Sequence, residues 1–298
     1  MRLIDMHEDF GYSASMGKDL INGSYQSDLN QLKSIGDVTI FSVVFPAQET
    51  LSGYSNMYFQ SLINQVKIYY KLDNEKIVSL VRKKEDLDKQ GIKFLISLEG
   101  TDVLTDPSDI YLLKELNFKA IGLTWNYDTK FASSCMSKKD YGLTGQGEEL
   151  VKLANDLGII IDLAHASKQT VLDVSQISKK PVIISHTAYK KLKDHPRNVD
   201  DEEIEAVIKN KGVIGIMAWH KVLPEPTLDG YLNVIKELGD SYGWDYIGIG
   251  TDFLGIEETI KGFEKISEIN KIKEVLNENA EKVLWKNAYR VIRENLND

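Results

Sequence analysis

One cysteine, six prolines and five histidines are spread over 298 residues. The lone thiol, Cys135, has no intrachain disulfide partner, so oxidative cross-linking contributes nothing to this fold and a reducing compartment suits it. Long apolar runs are missing too, none approaching the roughly 18 to 20 residues that cross a bilayer. The stretch Met1 to Asp9 passes from a few apolar residues straight into charge, without the apolar core of an export signal. A cytoplasmic address is expected, without membrane attachment. The scarcity of proline and the absence of Gly/Ser-rich stretches leave no linker, so a single domain over residues 1–298 is expected. Positive charge is also short: 36 Lys and Arg against 45 Asp and Glu give a net charge of −9, which argues against nucleic acid as a partner. Apolar residues are plentiful. At 42% hydrophobic and 27% charged, the chain is globular rather than disordered.

Eight short apolar, β-branched runs recur with helical patterns between them. They are Leu3 to His7, Val38 to Phe45, Lys93 to Leu98, Ala120 to Trp125, Gly158 to Ala164, Pro181 to Ser185, Gly212 to Ala218 and Tyr246 to Thr251. Their near-continuous hydrophobicity suits parallel strands covered on both faces. Helical spacing marks Gly147 to Leu157 and Asp201 to Lys209. Eight alternations predict an α/β fold of the (β/α)₈ TIM-barrel type, with an open doubly wound sheet as the alternative. The long interval after the second strand predicts an extra helix over Tyr58 to Lys71, and the tail from Ile256 to Asp298 predicts C-terminal helices.

In such a barrel, catalytic groups come from the C-terminal ends of several strands. Unusual polar residues fall at those ends here: His7 and Asp9 after the first run, Glu99 after the third, His165 after the fifth, His186 after the sixth and Asp252 after the eighth. His7 and Asp9 at i and i+2 can face one cation, His165 and His186 a second, and the two oxygens of Glu99 can bridge the pair. Asp5 has the same parity as His7, so the pattern alone does not decide between Asp5 and Asp9. Three imidazoles with two carboxylates suit two borderline divalent ions such as zinc, as in binuclear hydrolases that use a shared hydroxide.

The same residues sit in motifs similar to the membrane (renal) dipeptidase family of zinc metallopeptidases, within the amidohydrolase-like barrels. These motifs are Asp5-Met6-His7-Glu8-Asp9, Ser97-Leu98-Glu99-Gly100, Leu123-Thr124-Trp125-Asn126, Gly142-Leu143-Thr144, Ile161-Asp162-Leu163-Ala164-His165-Ala166-Ser167, Ile184-Ser185-His186-Thr187, Asp194-His195-Pro196-Arg197-Asn198, Ile247-Gly248-Ile249-Gly250-Thr251-Asp252-Phe253 and Asn287-Ala288-Tyr289-Arg290-Val291. The resemblance implies that His7 and Asp9 bind one zinc, that Glu99 bridges, and that His165 and His186 bind the second, which selects Asp9 over Asp5. It implies that Arg197 clamps the substrate carboxylate or polarises its carbonyl. Asp252 would move the proton from the bridging water to the leaving amine. It also suggests a homodimer.

One departure touches the substrate. Where this family typically carries a histidine just after the Leu-Thr strand, this chain has Trp125, which cannot accept a proton or carry charge. Trp125 and its neighbour Asn126 are candidate substrate contacts. The expected activity is hydrolysis of a small dipeptide, including one with a C-terminal D-residue. The alternatives are a metal-dependent hydrolase of an N-acyl amino acid, lactone or phosphoester, and a non-catalytic barrel with a decayed site. His195 is read as ordering its loop, His220 as a weak candidate for the pocket border, and Cys135 as incidental.

Overall fold

The computed structural model describes residues 1–23, 25–46 and 58–297. Its parallel strands are β1 (Arg2–Glu8), β2 (Asp37–Val44), β3 (Ser79–Leu80), β4 (Ile92–Glu99), β5 (Phe118–Gly122), β6 (Ile160–Asp162), β7 (Ile183–Thr187), β8 (Val213–Ile216) and β9 (Ile247–Ile249). Their order is β2-β1-β9-β8-β7-β6-β5-β4, and β2 pairs again with β4, from Val38 opposite Ile92 to Val44 opposite Leu98. The sheet therefore closes into an eight-stranded (β/α)₈ barrel. The two-residue β3, which the sequence pattern did not announce, adds to β4 at Lys93 and Phe94, below the point where β5 takes over at Ile96.

Two apolar layers hold the barrel. Inside, Ile4, Met6, Phe41, Leu95, Ala120, Ile160, Ile183 and Val213 pack together, and the C-terminal helix Asn287–Asn295 closes the bottom with Ala288, Val291 and Ile292. Outside, Leu3, Ile40, Phe94 and Ile161 meet the helices. Helix starts are capped as their sequences dictate: Thr144 accepts from the Gly147 N–H, Ser167 from Thr170, and Thr227 from Gly230. The extra helix after β2 runs Tyr58–Asn74. Its Tyr69 hydroxyl accepts from the Gly11 N–H at 2.6 Å and donates to the Val43 carbonyl, fixing the turn that follows β1. No helix among the described residues is long and apolar enough to cross a membrane.

The first strand contains the irregularity that matters for the site. Ile4 and Met6 face the barrel interior while Leu3 faces the helices, so strict alternation would send His7 outward with Leu3 and Asp5. Pairing with β2 instead slips between Asp5 and Glu8, which stand opposite Ile40 and Ser42. This one-residue bulge separates His7 from Asp5 and turns its imidazole into the barrel mouth.

Candidate active site at the barrel mouth

Six side chains from five strand ends meet at the C-terminal face. Glu99, the last residue of β4, places Oε1 3.0 Å from His165 Nε2, 3.5 Å from His186 Nε2 and 3.6 Å from His7 Nε2. His7 Nε2 also lies 3.5 Å from Asp9 Oδ2 and 3.8 Å from Asp252 Oδ1. His165 and Asp252 follow the last pairs of β6 and β9 with left-handed backbones, φ 64° and 63°, which turn the chain where each side chain enters the mouth. The His165 and His186 Nε2 atoms are 3.0 Å apart, and the rings of His7 and His186 lie against each other at a 43° tilt with centroids 3.7 Å apart.

Further residues orient these groups. His165 Nδ1 donates to Asn126 Oδ1 at 2.9 Å, which leaves the Nε2 lone pair pointing at Glu99 and His186. Ser185 Oγ lies 2.8 Å from His186 Nδ1 and 3.4 Å from His7 Nδ1. Asp162 accepts from the backbone N–H groups of Ala164 and Ser185, tying the turn before His165 to the residue before His186. Asp5 is committed elsewhere: its carboxylate accepts from the N–H groups of His7 and Thr251 and from the Thr251 hydroxyl. Burial nevertheless raises it to about 6.

The donor set fits a divalent cation. Potential ligand atoms of Glu99, His165 and His186 fall within 4.8 Å of one another, as do those of His7, Asp9 and Asp252. His7 Nε2 is buried without a hydrogen-bond partner. The cluster's electrostatics agree. Burial lifts Glu99 to about 8 and Asp252 to about 7 against the pull of His7. Burial depresses His7, but Glu99, Asp9 and Asp252 outweigh it and bring the imidazole to about 10. Burial holds His165 and His186 well below the ordinary histidine range, with Arg197 and His7 adding to the effect. The crowded carboxylates keep a proton on His7, the charge a cation would replace, while His165 and His186 are held neutral as ligands must be.

Arg197 enters from the loop after β7, buried to 6% exposure, and donates Nη2 to the His186 carbonyl at 3.2 Å. It lines a cavity of about 230 Å³ together with Asp9, Glu99, His165 and Asp252. Trp125 and Asn126 line it too, as do Tyr12, Phe45, Met136 and Trp219. The remaining histidines stay outside the cluster. His195 Nδ1 accepts from the Arg197 N–H at 3.1 Å, and His220 Nδ1 sits 3.0 Å from the Glu258 carbonyl. Cys135 donates its N–H to the His165 carbonyl at 2.7 Å, and burial raises its thiol despite the neighbouring Arg197.

The family described as membrane dipeptidase (peptidase family M19) matches residues 1–297. The chain belongs to this family. Membership in these metallopeptidases implies divalent metal ions at the site. Among curated relatives, dipeptidase tcpJ of Claviceps purpurea is 29% identical over 213 residues, covering 67% of this chain and 50% of that protein. Dipeptidase verJ of Clonostachys rogersoniana is 33% identical over 182 residues, covering 59% of this chain and 47% of the relative. The chain thus spans about half the length of the curated relatives it matches. Among solved structures, a metallopeptidase of Rhodobacter sphaeroides liganded with a phosphinate mimic of L-Ala-D-Ala superposes with a TM-score of 0.87 at 17% identity, covering 99% of each chain. That likeness carries the barrel fold.

The sequence motifs did not single out Tyr12, Phe45, Met136 or Trp219 as lining residues, or Ser185 and Asp162 as orienting residues. The last two stood inside quoted motifs, beside His186 and three residues before His165. Nearness to a candidate metal-binding histidine was the available signal.

Proposed function

We propose that this protein is a binuclear zinc dipeptidase that hydrolyses the amide bond of small dipeptides, including those with a C-terminal D-residue. The observation that carries the reading is the convergence of three histidine Nε2 atoms, at 3.0, 3.5 and 3.6 Å, on one oxygen of Glu99 in a cavity that also holds Arg197. His7 and Asp9 would hold one ion and His165 and His186 the other, with Glu99 shared between them. When bound, such ions supply Lewis-acid polarisation of the amide carbonyl and a water acidic enough to react at neutral pH.

The chain's own groups do the rest. Arg197 receives the substrate's terminal carboxylate, for which a guanidinium fork is matched in charge and shape. Its bond to the His186 carbonyl holds the fork beside the site. Asp252, whose Oδ1 stands 3.8 Å from His7 Nε2, takes the proton from the attacking water and delivers it to the leaving amine. Asn126 and Ser185 keep the His165 and His186 rings in place through their Nδ1 atoms. The aromatic residues around the mouth exclude bulk water and strengthen these interactions.

A panel of L,L and L,D dipeptides assayed with metal quantification tests the reading. Turnover that rises with bound zinc to about two equivalents is expected. Metal-loaded protein that cleaves none of them refutes it. Trp125 at the cavity wall supports a second reading, an N-acyl amino acid substrate with an apolar acyl group. Faster turnover of N-acyl amino acids than of dipeptides would select that reading.

A further inference from the structure

The cavity walls differ by sector. Around the barrel, β1, β2, β4 and β5 form one side, and β7, β8 and β9 the other. Tyr12 follows β1, Phe45 follows β2 and Trp125 follows β5, so all three stand over the first side. Their rings form a continuous wall: Tyr12 meets Phe45 edge-on with centroids 5.7 Å apart, and Phe45 meets Trp125 at 4.9 Å. Trp125 also leans on the His165 ring at 6.2 Å, so the wall begins beside the catalytic floor.

The opposite side holds the charge. Arg197 follows β7 and supplies the only fixed cation among the described residues lining the cavity. Glu257 lines the rim, but it already accepts from Trp219 Nε1 at 3.1 Å and pairs with Lys221. Asp9, Glu99 and Asp252 belong to the floor.

From this division we infer that the Tyr12, Phe45 and Trp125 wall receives the side chain of the substrate's N-terminal residue and selects bulky apolar groups, aromatic or branched aliphatic. The inference rests on the dipeptidase reading and sharpens it. With the C-terminal carboxylate at Arg197 and the scissile amide over Glu99 and Asp252, the part of the substrate reaching the far wall is the N-terminal residue. A large apolar side chain there exchanges water for three aromatic faces. A lysine or glutamate side chain at the same place loses hydration and gains no partner of opposite charge.

The test compares kcat/KM for Phe-Ala, Leu-Ala, Ala-Ala, Lys-Ala and Glu-Ala on the metal-loaded enzyme. Phe-Ala and Leu-Ala are expected to exceed Ala-Ala by roughly 10- to 100-fold, with Lys-Ala and Glu-Ala below Ala-Ala. Trp125→Ala and Phe45→Ala should each cut the Phe-Ala to Ala-Ala ratio by about fivefold or more, and Trp125→Phe should keep most of it. A ratio measured on one preparation is insensitive to the fraction of active enzyme, so partial loss of metal or fold does not imitate the effect. Calorimetric Kd values for Phe-Ala and Ala-Ala analogues methylated on the peptide nitrogen, which resist hydrolysis and keep the terminal carboxylate, should differ in the same direction. A wild-type ratio near one, equal Kd values, or a ratio that both alanine variants leave unchanged overturns the inference while leaving dipeptidase activity standing. Absence of any dipeptide cleavage at full metal content overturns both.

Discussion

Asn126 Oδ1 accepts from His165 Nδ1 at 2.9 Å, and this contact decides which nitrogen of the imidazole faces the carboxylate cluster. A backbone with φ of 64° aims the His165 side chain but does not choose its tautomer; the carboxamide oxygen does, by demanding a proton on Nδ1. Asn126→Ala should therefore weaken metal binding roughly 10- to 100-fold, the usual cost of losing such an orienting partner. Asn126→Asp retains an acceptor and should bind nearly as well as the parent. Metal titration with a competing chelator reads both. Equal affinity for the parent and the alanine variant would reassign Asn126 to direct substrate contact.

Glu99 and Asp252 should separate when mutated. Glu99 Oε1 stands within 3.6 Å of all three cluster histidines, whereas Asp252 approaches only His7, at 3.8 Å. Glu99→Ala should thus reduce bound metal from about two equivalents to one or fewer. Asp252→Asn should keep the metal and lower kcat by roughly 10²- to 10⁴-fold, the range for removing a general base. Elemental analysis alongside kinetics checks the pair. Loss of metal from the Asp252 variant would make it a ligand instead of a proton carrier.

Why some of this was readable in sequence and some was not follows from how each signal is generated. His165, His186 and Glu99 interrupt or end apolar runs, and a polar residue at the end of a doubly buried strand is conspicuous in one dimension. Asp5 was ambiguous because parity assumes an unbroken strand. The slip between Asp5 and Glu8 that resolves it depends on pairing with β2, about 35 residues away. Tyr12, Phe45, Met136 and Trp219 line one cavity from the segments after β1, β2, β5 and β8, and no local pattern links them. The two-residue β3 carries no periodicity at all.

Stability should respond to Glu203 in the acidic range. This residue, 6% exposed, closes the capping box at Asp200 by accepting its N–H at 2.9 Å, and burial raises its carboxyl from 4.5 to about 7, helped by the nearby Asp200 charge. The folded state therefore holds the proton more tightly than the unfolded chain. Below about pH 4.5 both states are protonated and there is no penalty; between about 4.5 and 7 the unfolded chain ionises first and stability falls; above 7 the loss is complete. Glu203→Gln keeps an acceptor for the Asp200 N–H and removes the ionisation, so it should stabilise the protein at pH 8 by at most about 3 kcal/mol and change little at pH 4. Urea unfolding at both pH values measures the difference. A variant less stable at pH 8 would mean that the charged cap outweighs its burial.

Gly250 should be intolerant of even one added carbon, and the damage should reach the metal site. A Cβ placed there would lie 1.7 Å from the Ser185 carbonyl oxygen and 3.4 Å from the His186 Cα. Both obstacles are backbone atoms of β7, so the collision cannot be relieved by a side-chain rotation. It must push β7 away from β9, carrying with it Ser185 Oγ and the His186 ring that it orients. Gly250→Ala should cost about 3 kcal/mol or more in unfolding free energy and weaken metal binding together with stability. Gly145→Ala is the matched control, since a Cβ at that first helical position meets nothing within 4 Å. It should leave metal affinity unchanged and stabilise slightly, by about 0.5 kcal/mol. If Gly250→Ala retained parental metal affinity and stability, β7 would be free to shift, and the spacing between His186 and Glu99 would not be set by the contact of β7 with the end of β9.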